Sequence, residues 1–377
     1  MYNNVLNIIQ QLIRIRTHQP EGDESDAVKY ILTLLDPTRM SYQIVQHGQN
    51  RSSLIVRIKG NGEKPTVLFM GHLDTIGLAS TREWKHYPYS ADFDGSFVYG
   101  RGANNKGGVT AMILAADILA KKDKLPCDVI FAFTADNDEN GLGAKALVEG
   151  SFLEDVGEII FVQPTNCNIG IAQKGVAWLD FEVKGHTSHA AFPRQNADVL
   201  KLVLDYHKRF CSSLRTEEAH PYLGTNTCVI TELQSQGFAR YMFPEAAKCS
   251  IDVRFLPSFN ESLIYNLIRE TSKILSKNNP ECVFNVSVNN FRLPCAMDDE
   301  SPNIKRIEQI YKQLEYKQKK TGIYYLCDVS LVVPRLGVPF AIIGPGEDIY
   351  RSNKDEGISI DDIIKMARFY ENYVMHI

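Results

Sequence analysis

His72 and Asp74, separated by a single leucine, follow the apolar run Leu68-Phe-Met-Gly71. At the C-terminal end of a strand, this spacing lets a carboxylate accept the second ring N–H of a metal-ligating imidazole and fix its tautomer. A histidine held in that way is suited to a metal-assisted hydrolase. The same residue type near a strand end also occurs as a satisfied core histidine, so the rest of the chain must decide between them.

The flanking elements are legible. Residues 3–16 form an amphipathic helix with Val5, Ile8, Ile9, Leu12 and Ile13 on one face, and 23–35 forms a second helix. Strands are predicted at 53–59 and 66–70, a helix at 107–121, and buried strands at 128–134 and 159–163. Strands alternating with helices indicate an α/β sheet. The texture changes near Gly175. Residues 176–184 alternate apolar with polar, then helix 198–214, strands 227–233 and 247–255, helix 261–276 and strand 282–289 follow. That order, β-α-β-β-α-β, is ferredoxin-like. The α/β texture resumes with helix 302–314, strand 340–343 and helix 359–373. The expected organisation is therefore a discontinuous α/β domain, 1–174 with 291–377, and an inserted α+β domain, 175–290.

Composition narrows the function. The 377 residues are 44% hydrophobic and 23% charged, with net charge -4 and pI about 6.2. Neither nucleic acid nor an anionic membrane is an expected partner, and no apolar run approaches the ~20 residues of a membrane span. The start lacks the pattern of a secretory signal. The eight cysteines are scattered without a Cys-x-x-Cys pair, which predicts free thiols in a reducing cytoplasm.

Further motifs follow His72 in order: Gly100-Arg-Gly-Ala-Asn104-Asn105-Lys106-Gly107-Gly108, Asp136-Asn137-Asp138-Glu139-Asn140-Gly141-Leu-Gly-Ala144, Gln163-Pro-Thr165, Gly344-Pro-Gly346 and Asp355-Glu356. Together they resemble the acetylornithine deacetylase, succinyl-diaminopimelate desuccinylase and aminoacylase family of di-zinc amidohydrolases and carboxypeptidases, over essentially the whole chain. The resemblance implies a zinc-peptidase-like mixed sheet flanked by helices, with an inserted lid that often dimerises. It also implies amide hydrolysis by a metal-activated water with a Glu relaying the proton.

Within that resemblance, His72 matches the first ligand and Asp74 its orienting carboxylate. Asn105, or Asn104, stands at the metal-bridging Asp, although Asn-Asn also suits a turn. Asn137 stands at the catalytic Glu and Asp138 at a ligand Glu. A one-residue gap would instead make Asp138 the base and Glu139 the ligand. Gln163 replaces an acidic ligand, and Ser352, beside Arg351, stands where a second His is expected. An amide has one good ligand oxygen and cannot take a proton from water near neutral pH.

Two divalent ions about 4 Å apart repel by roughly 17 kcal/mol at an effective dielectric near 20. With Asp138 as the one anion able to touch the ions, the expectation is no di-zinc centre, and either no metal or one weakly bound divalent ion.

On the substrate side, Lys184-Gly-His-Thr-Ser-His189 resembles the lid motif whose last His polarises the scissile carbonyl. In Ile251-Asp252-Val-Arg254, Arg254 would clamp a carboxylate, or else pair structurally with Asp252. Asn226 and Gly346 complete the expected substrate set. Three functions stay open: a catalytically silent protein binding a carboxylate-bearing amino acid or peptide as a homodimer, an amidohydrolase with a depleted or single-metal centre, and a metal-free acyl-transfer enzyme using His189, His72 or Asp138. Cys167 is a possible nucleophile and a possible core thiol.

Overall fold

The computed structural model describes residues 2–78, 84–192, 198–237, 239–317, 319–347 and 355–377. The strands are β1 Ser41–Gly48, β2 Arg51–Ile58, β3 Lys64–His72, β4 Asp92–Phe93, β5 Phe97–Tyr99, β6 Cys127–Thr134, β7 Val156–Phe161, β8 Ile169–Gln173, β9 Gly175–Lys184, β10 Thr227–Gln236, β11 Ala246–Phe255, β12 Val283–Arg292, β13 Cys295–Ala296, β14 Lys320–Ile323, β15 Phe340–Ile342 and β16 Gly357–Ser359. The helices are α1 Tyr2–Arg14, α2 Glu24–Leu32, α3 Ala103–Ala120, α4 Leu142–Glu149, α5 Val199–Ser213, α6 Glu261–Asn278, α7 Pro302–Gln313, α8 Val329–Leu336 and α9 Ile360–Met375. Two compact units result. One comprises Met1–Ala172, Met297–Ile323 and Cys327–Ile377, and the other Gln173–Ala296 with Tyr324–Leu326.

In the first unit, the mixed sheet runs β1-β2-β6-β3-β7-β15 and on to β8. The hairpin β1-β2 is antiparallel, while β6, β3, β7 and β15 are parallel. Such central strands are covered on both faces and carry continuous apolar runs. Leu68 and Phe69 are fully buried, and Phe69 stacks on Phe131 at 5.1 Å. Helix α3 packs on α9, α1 and β3. Its close approach to the sheet requires Gly108, since a Cβ there would lie 2.7 Å from Val162.

The second unit is one antiparallel sheet in the order β10-β11-β9-β12, with α5 and α6 packed on it. With β9, β10, β11 and β12 as strands one to four, this is the ferredoxin-like order. Leu179, Phe181 and Val183 of β9 face Val203, Tyr206 and Phe210 of α5 and Ile264 of α6 in one core. Asp198 and Asn260 cap α5 and α6 by accepting the N–H of Lys201 and Leu263.

Three differences from the sequence reading have physical causes. Asn104 and Asn105 are not in a turn. They lie in the first turn of α3, because Gly102 (φ 76°) takes the left-handed position ahead of them. The edge strand β1, with Tyr42 and Ile44 exposed, lacks the buried pattern that marks a strand. The short elements β8, α4 and α8 fall below the length at which periodicity speaks.

Candidate metal centre

Strand β3 ends at His72, and the chain turns at once so that Asp74 lies fully buried beneath the imidazole. Asp74 Oδ1 accepts from His72 Nδ1 at 3.2 Å and Asn137 N at 3.0 Å. Its Oδ2 accepts from Gln19 Nε2 and Asp138 N, both at 3.0 Å. Four donors fill this carboxylate, so it orients the ring and leaves His72 Nε2 as the ligand atom. Ligand atoms of His72, Asp74 and Asp138 lie within 4.8 Å of one another.

Burial would raise the Asp74 pKa, but the bond and charge of His72 with further donors hold it at about 2. Burial would lower that of His72, yet Asp138, Asp74 and Asp328 together lift it to about 9. Burial pushes the Asp138 carboxyl up to about 7 against the pull of His72. The surrounding carboxylates thus favour a cation at the His72 position, the imidazolium itself in the metal-free protein.

The amides in the cluster add oxygen. Asn105 Nδ2 donates to the carbonyls of His72 (2.8 Å) and Asp74 (3.1 Å). Asn137 Nδ2 donates to Asp138 Oδ1 at 2.9 Å. The Oδ1 atoms of Asn105 and Asn137 are buried with no donor among the described residues. Orphaned buried acceptors beside two carboxylates and an imidazole fit a divalent ion. Asn104 instead faces Gly346 (φ 83°), where a Cβ would come 2.5 Å from Asn104 Oδ1. The visible role of Gly346 is therefore steric. Gln163 is buried just beyond β7, its backbone packed on Gly344. Ser352 and Arg351 lie outside the described residues.

Gln19 carried no local sequence signal, and the partners of Asp136, Asp328 and Glu356 emerge only in the fold. Gln19 bridges Asp74 to Asp136 Oδ1 at 3.2 Å. Asp136 also pairs with Arg51 at 3.1 Å, and Arg51 in turn with Glu24. Asp136 sits at φ 66°, and the next two residues deliver their N–H groups to Asp74. Asp328, at the start of α8, accepts from Thr134 Oγ1 at 2.8 Å and acts on His72 by its charge. Glu356 accepts Gly102 N at 2.6 Å and pairs with Arg101, holding the Gly-Arg-Gly segment.

Three of the remaining candidates, His189, Arg254 and Asn226, belong to the second unit, and Cys167 to the first. His189 is exposed, and its Nδ1 accepts from Ala191 N at 3.1 Å. The neutral ring then carries its proton on Nε2, a donor suited to a carbonyl. Arg254 donates Nε and Nη2 to Asp252 at 2.6 and 2.8 Å, while its Nη1 is buried without an acceptor among the described residues. Asn226 commits its amide to Leu214 O (2.6 Å) and Leu256 N (2.7 Å), so it holds backbone. Cys167 is buried and burial pushes its thiol up to about 12, which leaves it protonated.

Residues 68–376 match the peptidase family M20/M25/M40. A protein of Staphylococcus epidermidis described as a probable succinyl-diaminopimelate desuccinylase is 23% identical over 402 residues, covering 97% of this chain and 96% of that one. An M20 metallo-carboxypeptidase from Sulfolobus solfataricus superposes with a TM-score of 0.79 at 17% identity, over 99% of both chains. A Bacillus subtilis protein described as a dinuclear metal-binding peptidase of the M20 family gives 0.71 at 15% identity, over 99% of this chain and 97% of that one.

These findings correct the expectation of no metal, or one weakly held ion, without a di-zinc centre. The charge argument counted Asp138 alone. The fold brings Asp74 and Asp328 to bear on the same imidazole, gathers a metal-capable cluster at His72, Asp74 and Asp138, and matches a family with a dinuclear member.

Proposed function

The chain belongs to peptidase family M20/M25/M40, and from that footing we propose that it is a metal-binding member that takes a carboxylate-bearing amino acid or peptide without hydrolysing it by the family's water-activating route. His72 and Asp138 would be among the metal ligands, with the free amide oxygens of Asn105 and Asn137 beside them. When bound, a divalent ion supplies a Lewis acid for a substrate carbonyl. The chain's own residues orient and bind: Asp74 fixes the imidazole, Arg254 offers Nη1 to a carboxylate, and His189 offers Nε2–H to a carbonyl. The observation carrying the proposal is Asn137. Its amide donates to Asp138 and has no basic atom to take a proton from water.

The test uses N-succinyl and N-acetyl amino acids and dipeptides with zinc, cobalt or manganese. Saturable binding without turnover is expected, and Asn137→Glu should create turnover, a gain of about 10²-fold or more. Wild-type turnover on the order of 10 s⁻¹, the usual enzyme range, would refute the proposal.

A second reading draws on the Asp138 carboxyl being lifted to about 7, the range of a general base. Asp138 would then take the proton and Glu139 would serve as ligand. Wild-type hydrolysis lost in Asp138→Asn would favour it. We further propose a homodimer through the second unit, whose edge strand and α5 expose Val229, Leu233, Leu200 and Leu204, in a reducing cytoplasm that suits eight free cysteines. No helix among the described residues is long and apolar enough to cross a membrane.

A further inference from the structure

We propose that the ferredoxin-like unit carries a metal site of its own, a thiolate–imidazole centre for zinc or a similar soft divalent ion built from His207, Cys211 and Cys228. His207 and Cys211 stand four residues apart on α5 and so share one face. His207 Nε2 lies 3.2 Å from Cys211 Sγ. Strand β10 runs beside α5 and brings Cys228 to the same point. Ligand atoms of all three residues fall within 4.8 Å of one another, and all three are half-buried.

The Cys228 carbonyl gathers the group, accepting from His207 Nε2 at 3.2 Å and Cys211 Sγ at 3.4 Å. The cysteines open onto a cleft of about 350 Å³ that is also lined by Leu214, Thr225, Asn226 and Thr227. Water in that cleft can supply the fourth ligand of a tetrahedral ion, as in three-ligand zinc sites. Two sulfurs and one ring nitrogen select a soft ion over calcium or magnesium.

Loading balances as follows. Burial keeps both thiols protonated in the metal-free protein, so one dication displaces two thiol protons and the two thiolates neutralise its charge. His207 Nε2 exchanges the Cys228 carbonyl for the metal, and the ring proton resides on Nδ1. Affinity therefore rises with pH. The bound ion would tie α5 to the edge strand.

Cobalt(II) added to the full-length, chelator-stripped protein under reductant tests this directly. A thiolate-to-cobalt charge-transfer band should appear and saturate, at one equivalent once the competing centre at His72 is removed. The centre at His72 has no sulfur ligand, so His72→Ala should keep the band. Cys211→Ser and Cys228→Ser should each abolish it, with the metal-free melting temperature of each variant reporting that the fold persists. Absence of the band in wild type with all thiols titratable would overturn the proposal, as would its survival in either serine variant. A Cys211–Cys228 disulfide that resists reductant would also overturn it.

Discussion

Asp74 in the α/β unit and Asp252 in the ferredoxin-like unit are both held by several donors, but the donors differ in kind. Asp74 is fully buried and takes two backbone N–H groups, an amide and the His72 ring. Asp252 is part-exposed and takes Trp178 Nε1 and both forks of Arg254. Backbone and amide donors stabilise a carboxylate without cancelling its charge, so Asp74 draws a cation to the His72 position, where its charge helps lift the imidazole to about 9, whereas the Arg254 guanidinium cancels that of Asp252 directly. The first arrangement leaves a negative field for a cation. The second leaves a neutral pair with one guanidinium N–H to spare for an anion. The proposed carboxylate clamp at Arg254 and the proposed metal centre at His72 thus rest on opposite electrostatic designs.

Removing His72 should break this contrast most severely. His72→Ala is expected to weaken divalent-metal binding at its own centre by at least about 10²-fold, more than the loss of a hydrogen bond that orients a ligand costs, while the proposed thiolate site and the Arg254 clamp of the other unit persist. Calorimetric metal titration checks it.

Next in size is the pH response of the chelated protein. The folded pKa of His72 is raised from 6.5 to about 9, so its stabilising contribution is complete below pH 6.5 and disappears as pH climbs through 9. Asp138, raised from 3.8 to about 7, has the same sign. Asp74, lowered from 3.8 to about 2, has the opposite sign, and its contribution is lost only as pH falls from about 4 through 2. Thermal unfolding from pH 6.5 to 9 should show a loss of up to about 3 kcal/mol for the pair sharing His72. His72→Gln should flatten the curve.

A smaller effect sharpens the metal side. Asn105→Asp replaces a donor by a charge facing two carbonyl oxygens. It should cost the metal-free protein about 1–3 kcal/mol and recover that on adding zinc, read as a metal-dependent shift in melting temperature. Smallest is Arg254→Lys, which loses the fork geometry. Affinity for N-succinyl amino acids should fall about 10-fold with metal binding unchanged, as a hydrogen bond to a charged group is worth roughly 1.5–3 kcal/mol. Equal losses for metal and ligand would erase the contrast between the units.

The sequence disclosed much of the architecture because its long elements have strong periods: α1 with its five buried aliphatics, β3 and β6 as continuous apolar runs, and β9 with strict alternation. It disclosed His72 and Asp74 because two residues of spacing contain the whole interaction. It could not disclose Gln19, or that the charge of Asp328 reaches His72, because both effects depend on tertiary closure between distant segments. That omission made the charge count too low and the expectation of no metal pair wrong. Asn105 was misread as a turn because the glycine that ends the irregular stretch lies before it, at Gly102.

Strand β15 has a position that matters during synthesis. It lies between β7 and β8 in the large sheet yet is translated after the entire ferredoxin-like insert. While the ribosome is producing that insert, the earlier half of the sheet waits with β7 unpaired on one side. The insert, nearly contiguous in sequence, can close first. A chain released before Phe340 would keep that open edge, a template for association with other chains, so roughly the last tenth of the 377 residues guards the nascent protein against aggregation.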